Sequence, residues 1–119
     1  MRDHTTLLVW RLARDQSREL YHFSTVRWTP PLGFIFDQLR RASLSVRLNL
    51  VEGYAWRPTP KWRQHLRIAL GSAMETSECV RFLVEVGAMS DRDGVHFLEK
   101  SRRVERLLYG LIRERKPHP

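Results

Sequence analysis

The chain is short of cysteine, lysine, acidic groups and long apolar runs, and each shortage excludes a class of protein. Cys79 is the single cysteine, so no internal disulfide can form and a cross-linked secreted scaffold is excluded. The longest uninterrupted run of hydrophobic residues, Leu7 to Trp10, is far below the ~20 residues that cross a bilayer. The first residues lead directly into charged sequence with no apolar core and small-residue cleavage site, so no signal peptide and a cytoplasmic location are expected. His4, His22, His65, His96 and His118 share no metal-ligand spacing, and neither a metal nor another cofactor is expected.

What is present describes one small folded unit. The 119 residues suffice for one domain (1–119) with one core, and 42% hydrophobic residues set the chain apart from disordered sequences. Lys plus Arg is 21 against 13 Asp plus Glu, a net charge of +8. Only Lys61, Lys100 and Lys116 are lysines, and the remaining cations are arginines. Guanidinium is a planar fork suited to phosphate, and a strongly basic balance is the footprint expected of a nucleic-acid binder. A GC-rich genome would also favour arginine over lysine, so charge alone leaves both explanations open.

Apolar spacing divides the chain into four helical segments, at about 6–24, 31–54, 60–86 and 91–116. In the first, Val9, Ala13, Leu20 and Phe23 share a face with Gln16 between them. In the second, Phe36, Leu39, Ser43, Val46, Leu50 and Gly53 alternate steps of three and four, a heptad seam. The third carries Trp62, Leu66, Ala69, Ala73, Thr76, Val80 and Leu83 in the same rhythm, with a second line at Ile68, Cys79, Phe82 and Val86. The fourth carries Phe97, Ser101, Val104, Leu108 and Leu111. Pro30-Pro31 and Pro58 punctuate the chain, Thr59-Pro60 reads as a helix N-cap, Gly87 as a C′ glycine, and Ser90 with Asp93 as a capping box. Four amphipathic helices with short connections and no strand-period segment predict an all-α, antiparallel up-down-up-down four-helix bundle.

The middle of the chain carries a more specific pattern. Gln38, Arg41, Ala42, Ser45, Asn49, Glu52, Gly53 and Tyr54 in the second segment are followed by Ala69, Leu70, Gly71, Ser72 and Glu75 in the third. This arrangement resembles the bacterial four-helix-bundle proteins encoded in intervening sequences of 23S ribosomal RNA genes. Leu8-Val9-Trp10 and the stretch from Leu107 to Ile112 resemble that family's first and last helices. The chain departs from the family at Val46-Arg47, where Ile-Pro is usual, at Trp28-Thr29-Pro30-Pro31 in place of acidic residues, and at Thr76 in place of leucine. The resemblance implies a homopentamer. It also implies kinship with the accessory protein of diversity-generating retroelements, a basic pentameric barrel that contacts nucleic acid and a reverse transcriptase. Such kinship points to a binding or scaffold protein and not to an enzyme.

Three sets of residues are candidates for function. Arg41, Asn49, Glu52 and Glu75 lie on or beside buried stripes, where charges must pair, so an inter-helical network with Arg41 bridging Glu75 is expected. Arg40, Arg47 and Arg57, with Lys100, Arg102, Arg103, Arg106 and Arg113, are candidates for phosphate contact. The competing expectation is a solvated face with pairs such as Glu99 to Arg103. Trp10, Trp28, Phe34 and Trp56, with the wide apolar face of the third segment, are candidates for a subunit interface. Trp62 falls on the heptad seam and is expected in the core. A ribonuclease of the HEPN type would need Arg-x(4–6)-His on a helix, and only Arg113 with His118 has that spacing. His118 follows Pro117 at the tail, a poor place to hold a general base, so catalysis is not expected. Nucleic acid is the expected partner, and a protein partner alone is the alternative.

Overall fold

The structure, a computed structural model, describes residues 3–114. Four helices, α1 (Leu8–Arg27), α2 (Gly33–Tyr54), α3 (Pro60–Glu85) and α4 (Asp91–Arg113), are joined by residues 28–32, 55–59 and 86–90, and the described residues contain no strand. A five-residue connection reaches at most ~18 Å. Even the shortest helix, α1 at 20 residues, is ~30 Å long. No connection can return to the starting end of its helix, so successive helices run antiparallel. α1 packs on α2, α2 on α3, α3 on α4, and α4 closes on α1, while the diagonal pairs stay apart. The bundle measures 50 × 20 × 20 Å.

Local chemistry sets most of the helix ends. At the end of α3, Gly87 takes a φ of 78°, which a side chain would disfavour. The Ala88 N–H donates to the Leu83 carbonyl at 2.8 Å and the Gly87 N–H to the Val84 carbonyl at 3.1 Å, a Schellman closure. Ser90 Oγ accepts from the Asp93 N–H at 3.1 Å and caps α4. Thr59 departs from expectation: it sits at the N-cap of α3, but its hydroxyl donates back to the Trp56 carbonyl. α1 also runs past Ser24 to Arg27. The steric restriction before proline acts on the single preceding residue, Thr29, which is extended at φ −138° and ψ 152°. The expected reach of α4 to Lys116 lies outside the described residues; its last residue is Arg113.

The seams meet in two apolar clusters. One gathers Val9, Trp10, Ala13, Val46, Leu50, Trp62, Leu66 and Leu108, and the other Leu20, Phe36, Leu39, Val80, Leu83 and Phe97. In every helix the change of cluster falls at a buried polar residue: Gln16 between Ala13 and Leu20, Ser43 between Leu39 and Val46, Thr76 between Ala73 and Val80, Ser101 between Phe97 and Val104. Each polar group is satisfied. Gln16 Nε2 donates to Ser101 Oγ at 2.7 Å and to the Phe97 carbonyl at 3.2 Å, Thr76 Oγ1 to the Ser72 carbonyl at 2.8 Å, and Ser43 Oγ to the Arg40 carbonyl at 3.2 Å. The Gln16 contacts join α1 to α4 and would be broken by a slip between those two helices, whereas the Ser43 and Thr76 hydroxyls are satisfied within their own helices.

Candidate nucleic-acid interface

A ladder of polar contacts runs along the seam between α2 and α3. Gln38 Nε2 donates to Glu75 Oε2 at 2.9 Å, Ser45 Oγ and Ser72 Oγ lie 2.8 Å apart, and Asn49 Oδ1 meets His65 Nδ1 at 3.1 Å. Asn49 Nδ2 also donates to the Ser45 carbonyl at 3.0 Å. Asn49 and Glu75 therefore make contacts between α2 and α3, and among the described residues Arg41 and Glu52 do not join them. Arg41 and Glu52 are exposed, and among the described residues Arg41 forms no ion pair with Glu75 or Glu52. The α2 phase turns Arg41 outward, one turn from Asp37, and the neutral Gln38 takes the place beside Glu75. The Arg40 hydrogen bond is the main reason that Asp37 stays below the usual carboxylate range.

The expected subunit contacts also divide. Trp28, Phe34 and Trp56 are exposed, at 42%, 65% and 45%. Trp10 is not: it is 7% exposed and belongs to the first core cluster. Trp10, Ala13, Ser17 and Leu20 follow one another by three, four and three, so the buried face of α1 is wide enough to include it. The guanidinium groups of Arg14 and Arg47 each lie 5.4 Å from its ring, and His4 meets it edge-on at 4.9 Å. Its Nε1 is buried and meets no acceptor among the described residues. An unpaired buried donor costs ~1–3 kcal/mol, which offsets much of what a smaller ring would lose. Trp10→Phe is therefore expected to change the unfolding free energy by less than about 1 kcal/mol in urea titration, against ~3–5 kcal/mol lost in Trp62→Ala. The wide apolar face of α3 divides similarly: Cys79 is buried, whereas Ile68 and Val86 are 46% and 49% exposed.

The cations group across helices and not along the chain. Lys100 is drawn off the surface by Glu19, whose Oε1 lies 2.5 Å from Lys100 Nζ and whose Oε2 lies 2.8 Å from His96 Nε2. Partial burial pushes the Glu19 carboxyl up, but the hydrogen bonds from Lys100 and His96 outweigh it and hold the group below its ordinary value. A lowered carboxylate stabilises the fold above the ordinary glutamate range and loses that contribution as pH falls through the lowered value. Glu19→Gln is expected to lower stability at neutral pH and to flatten its further loss on acidification, measured by urea unfolding from neutral pH down to the carboxylate range.

Arg102, Arg103 and Arg106 point outward, and no ion pair joins Glu99 to Arg103. Arg113 meets Arg63 and Arg67 of α3 around a cleft of about 460 Å³ at one end of the bundle, closed by Ile112 and Glu114. Arg63 donates from its guanidinium to the Glu114 carbonyl at 2.6 Å. Arg40 and Arg47 share a second cleft with Arg18, between α1 and α2. Arg57 lies over Tyr54 at 4.8 Å and Lys61 over Trp56 at 3.9 Å, so the connection 55–59 holds a cation–π cluster. Arg18 and Arg67 escape a reading of the sequence because their partners in each cleft come from another helix.

Other chemistry is weakly represented. Among the described residues no three His, Cys, Asp or Glu groups gather as a metal site, and no helix is long and apolar enough to cross a membrane. Burial, with Glu75 and Glu78 nearby, pushes the Cys79 thiol up to about 11, the reverse of an activated nucleophile. His118 lies outside the described residues.

Fold and surface together define a basic four-helix-bundle protein whose polar seam pairs α2 with α3. The chain belongs to the 23S rRNA-intervening sequence protein family, whose model matches residues 5–110. It is similar to a crystal structure of a protein of unknown function from the S23 ribosomal protein family of Bacteroides thetaiotaomicron VPI-5482. That structure is 18% identical, covers 90% of this chain and 100% of its own, and superposes with a TM-score of 0.83, a likeness of fold. None of the curated proteins matches the chain.

Proposed function

We propose that the protein is a non-catalytic, oligomeric binding protein of the cytoplasm that contacts the phosphates of RNA or DNA through its arginine surface. The observation that carries this reading is the convergence of Arg63, Arg67 and Arg113 on one cleft, within a chain of net charge +8. Arg67 and Arg113 make no ion pair among the described residues, so both are available to an incoming phosphate. Contacts of this kind hold a backbone without reading its sequence. The ribosomal RNA setting in the family's description agrees with such a partner. The test is binding of mixed-sequence RNA and DNA to the purified protein at low salt. Retarded complexes with both support the reading, and none with either overturns it.

Assembly is supported by a second observation. Leu48 and Val51, exposed at 47% and 37%, lie about one turn apart on the outer face of α2, and Phe34, 65% exposed, lies on the same helix. Such a stripe suits a second copy of the chain, and the family resemblance suggests five. Light scattering in solution is expected to give a multiple of the 14.2 kDa protomer mass. A monomer at micromolar concentration would instead favour a protein partner, such as a reverse transcriptase, for the same stripe.

A further inference from the structure

The cleft between α1 and α2 places guanidinium groups from both helices beside an exposed aromatic ring. It has a volume of about 300 Å³ and is lined by Arg18, Tyr21, His22, Arg40, Leu44 and Arg47, with no carboxylate in its wall. Tyr21 is 53% exposed, and the His22 ring stands edge-on to it at 5.4 Å. Arg40 is paired with Asp37 at 2.5 Å, and the Arg47 guanidinium lies 5.4 Å from the Trp10 ring. The third arginine, Arg18, is exposed and makes no ion pair among the described residues.

We propose that this cleft takes one unpaired nucleotide of a single-stranded nucleic acid, its base stacked on Tyr21 and its phosphate held by Arg18 and Arg47. The inference rests on the reading of the protein as a phosphate-contacting binder and adds the class of strand it selects. A base offers a π face to an aromatic ring whatever its identity, and guanidinium groups beside that ring meet the adjoining phosphate. In a duplex the bases already stack on their neighbours, and a cleft at the small end of ligand pockets, ~300–1,000 Å³, admits one nucleotide but no base pair with both backbones.

The experiment measures, by fluorescence anisotropy at fixed salt, the affinity of the full chain for a short labelled single strand and for the same strand annealed to its complement. Tyr21→Ala is expected to weaken single-strand binding about 5- to 150-fold, the span of one base–aromatic stack, and to leave duplex binding unchanged. Tyr21→Phe keeps the ring and is expected to bind as the unaltered chain does. An unchanged single-strand affinity in Tyr21→Ala, or an equal loss on both probes, overturns the inference while leaving phosphate contact intact. Failure of the unaltered chain to bind either probe overturns the broader reading instead.

Discussion

Gly53→Ala is expected to destabilise the bundle by ~1–3 kcal/mol, whereas Gly71→Ala is expected to stabilise it by ~0.5–1 kcal/mol. Both glycines lie inside helices, at opposite extremes of crowding. A Cβ at position 53 would sit 2.6 Å from His65 Cβ and 2.9 Å from Trp62 Cε3. The first of these is fixed to the α3 backbone and cannot rotate away, so α2 and α3 must separate. Separation would strain the contact between Asn49 and His65 and the edge-on packing of Tyr54 against Trp62. At position 71 the same methyl group would meet nothing within 4 Å. There alanine restricts the unfolded chain and improves helix propensity without a steric penalty. Urea unfolding of the two variants beside the unaltered chain decides the matter. A neutral or stabilising shift in Gly53→Ala would mean that the helices do not approach at Gly53 as described.

Neutralising the end cleft is expected to have the largest functional effect. The combined variant Arg63→Gln, Arg67→Gln, Arg113→Gln keeps the aliphatic stems and removes three charges around one cleft. Each phosphate contact is worth roughly a factor of 5 to 8 near 0.1 M salt, so the three together are expected to lower affinity on the order of 100-fold. The loss should be alike for unrelated sequences, because phosphate contacts carry no base information. Arg67 and Arg113 are exposed and Arg63 is half-buried, so the thermal midpoint should move little. Unaltered affinity with unaltered stability would exclude the end cleft as the contact surface.

The bundle was legible because each helix repeats its apolar residues with a period close to 3.5. The steps from Phe36 to Gly53 and from Trp62 to Leu83 predict a single buried face, and the structure buries every one of those residues. Periodicity is a property of one helix at a time, and this limits what it reveals. Gln16, Ser43, Thr76 and Ser101 each lie on or between seam positions, yet their shared level becomes visible only once four helices are assembled. The motif that carries the family resemblance behaves likewise. Gln38, Ser45 and Asn49 on α2 meet Glu75, Ser72 and His65 on α3, so much of the motif is the means by which two helices pair. Arg41 belongs to the motif but not to the pairing, because its helical phase directs it to solvent. The cations show the same limit in reverse. Lys100 to Arg106 looks like one basic cluster along the chain, but Glu19 of another helix takes up Lys100, and the two arginine clefts draw on residues more than twenty positions apart.

The most direct test of the account is the salt dependence of binding to a labelled single strand. If at least three phosphates are held by arginines, the logarithm of the binding constant should fall linearly with the logarithm of salt, with a slope of about −2 or steeper. A binding constant that stays level from about 50 mM to about 200 mM salt would contradict it.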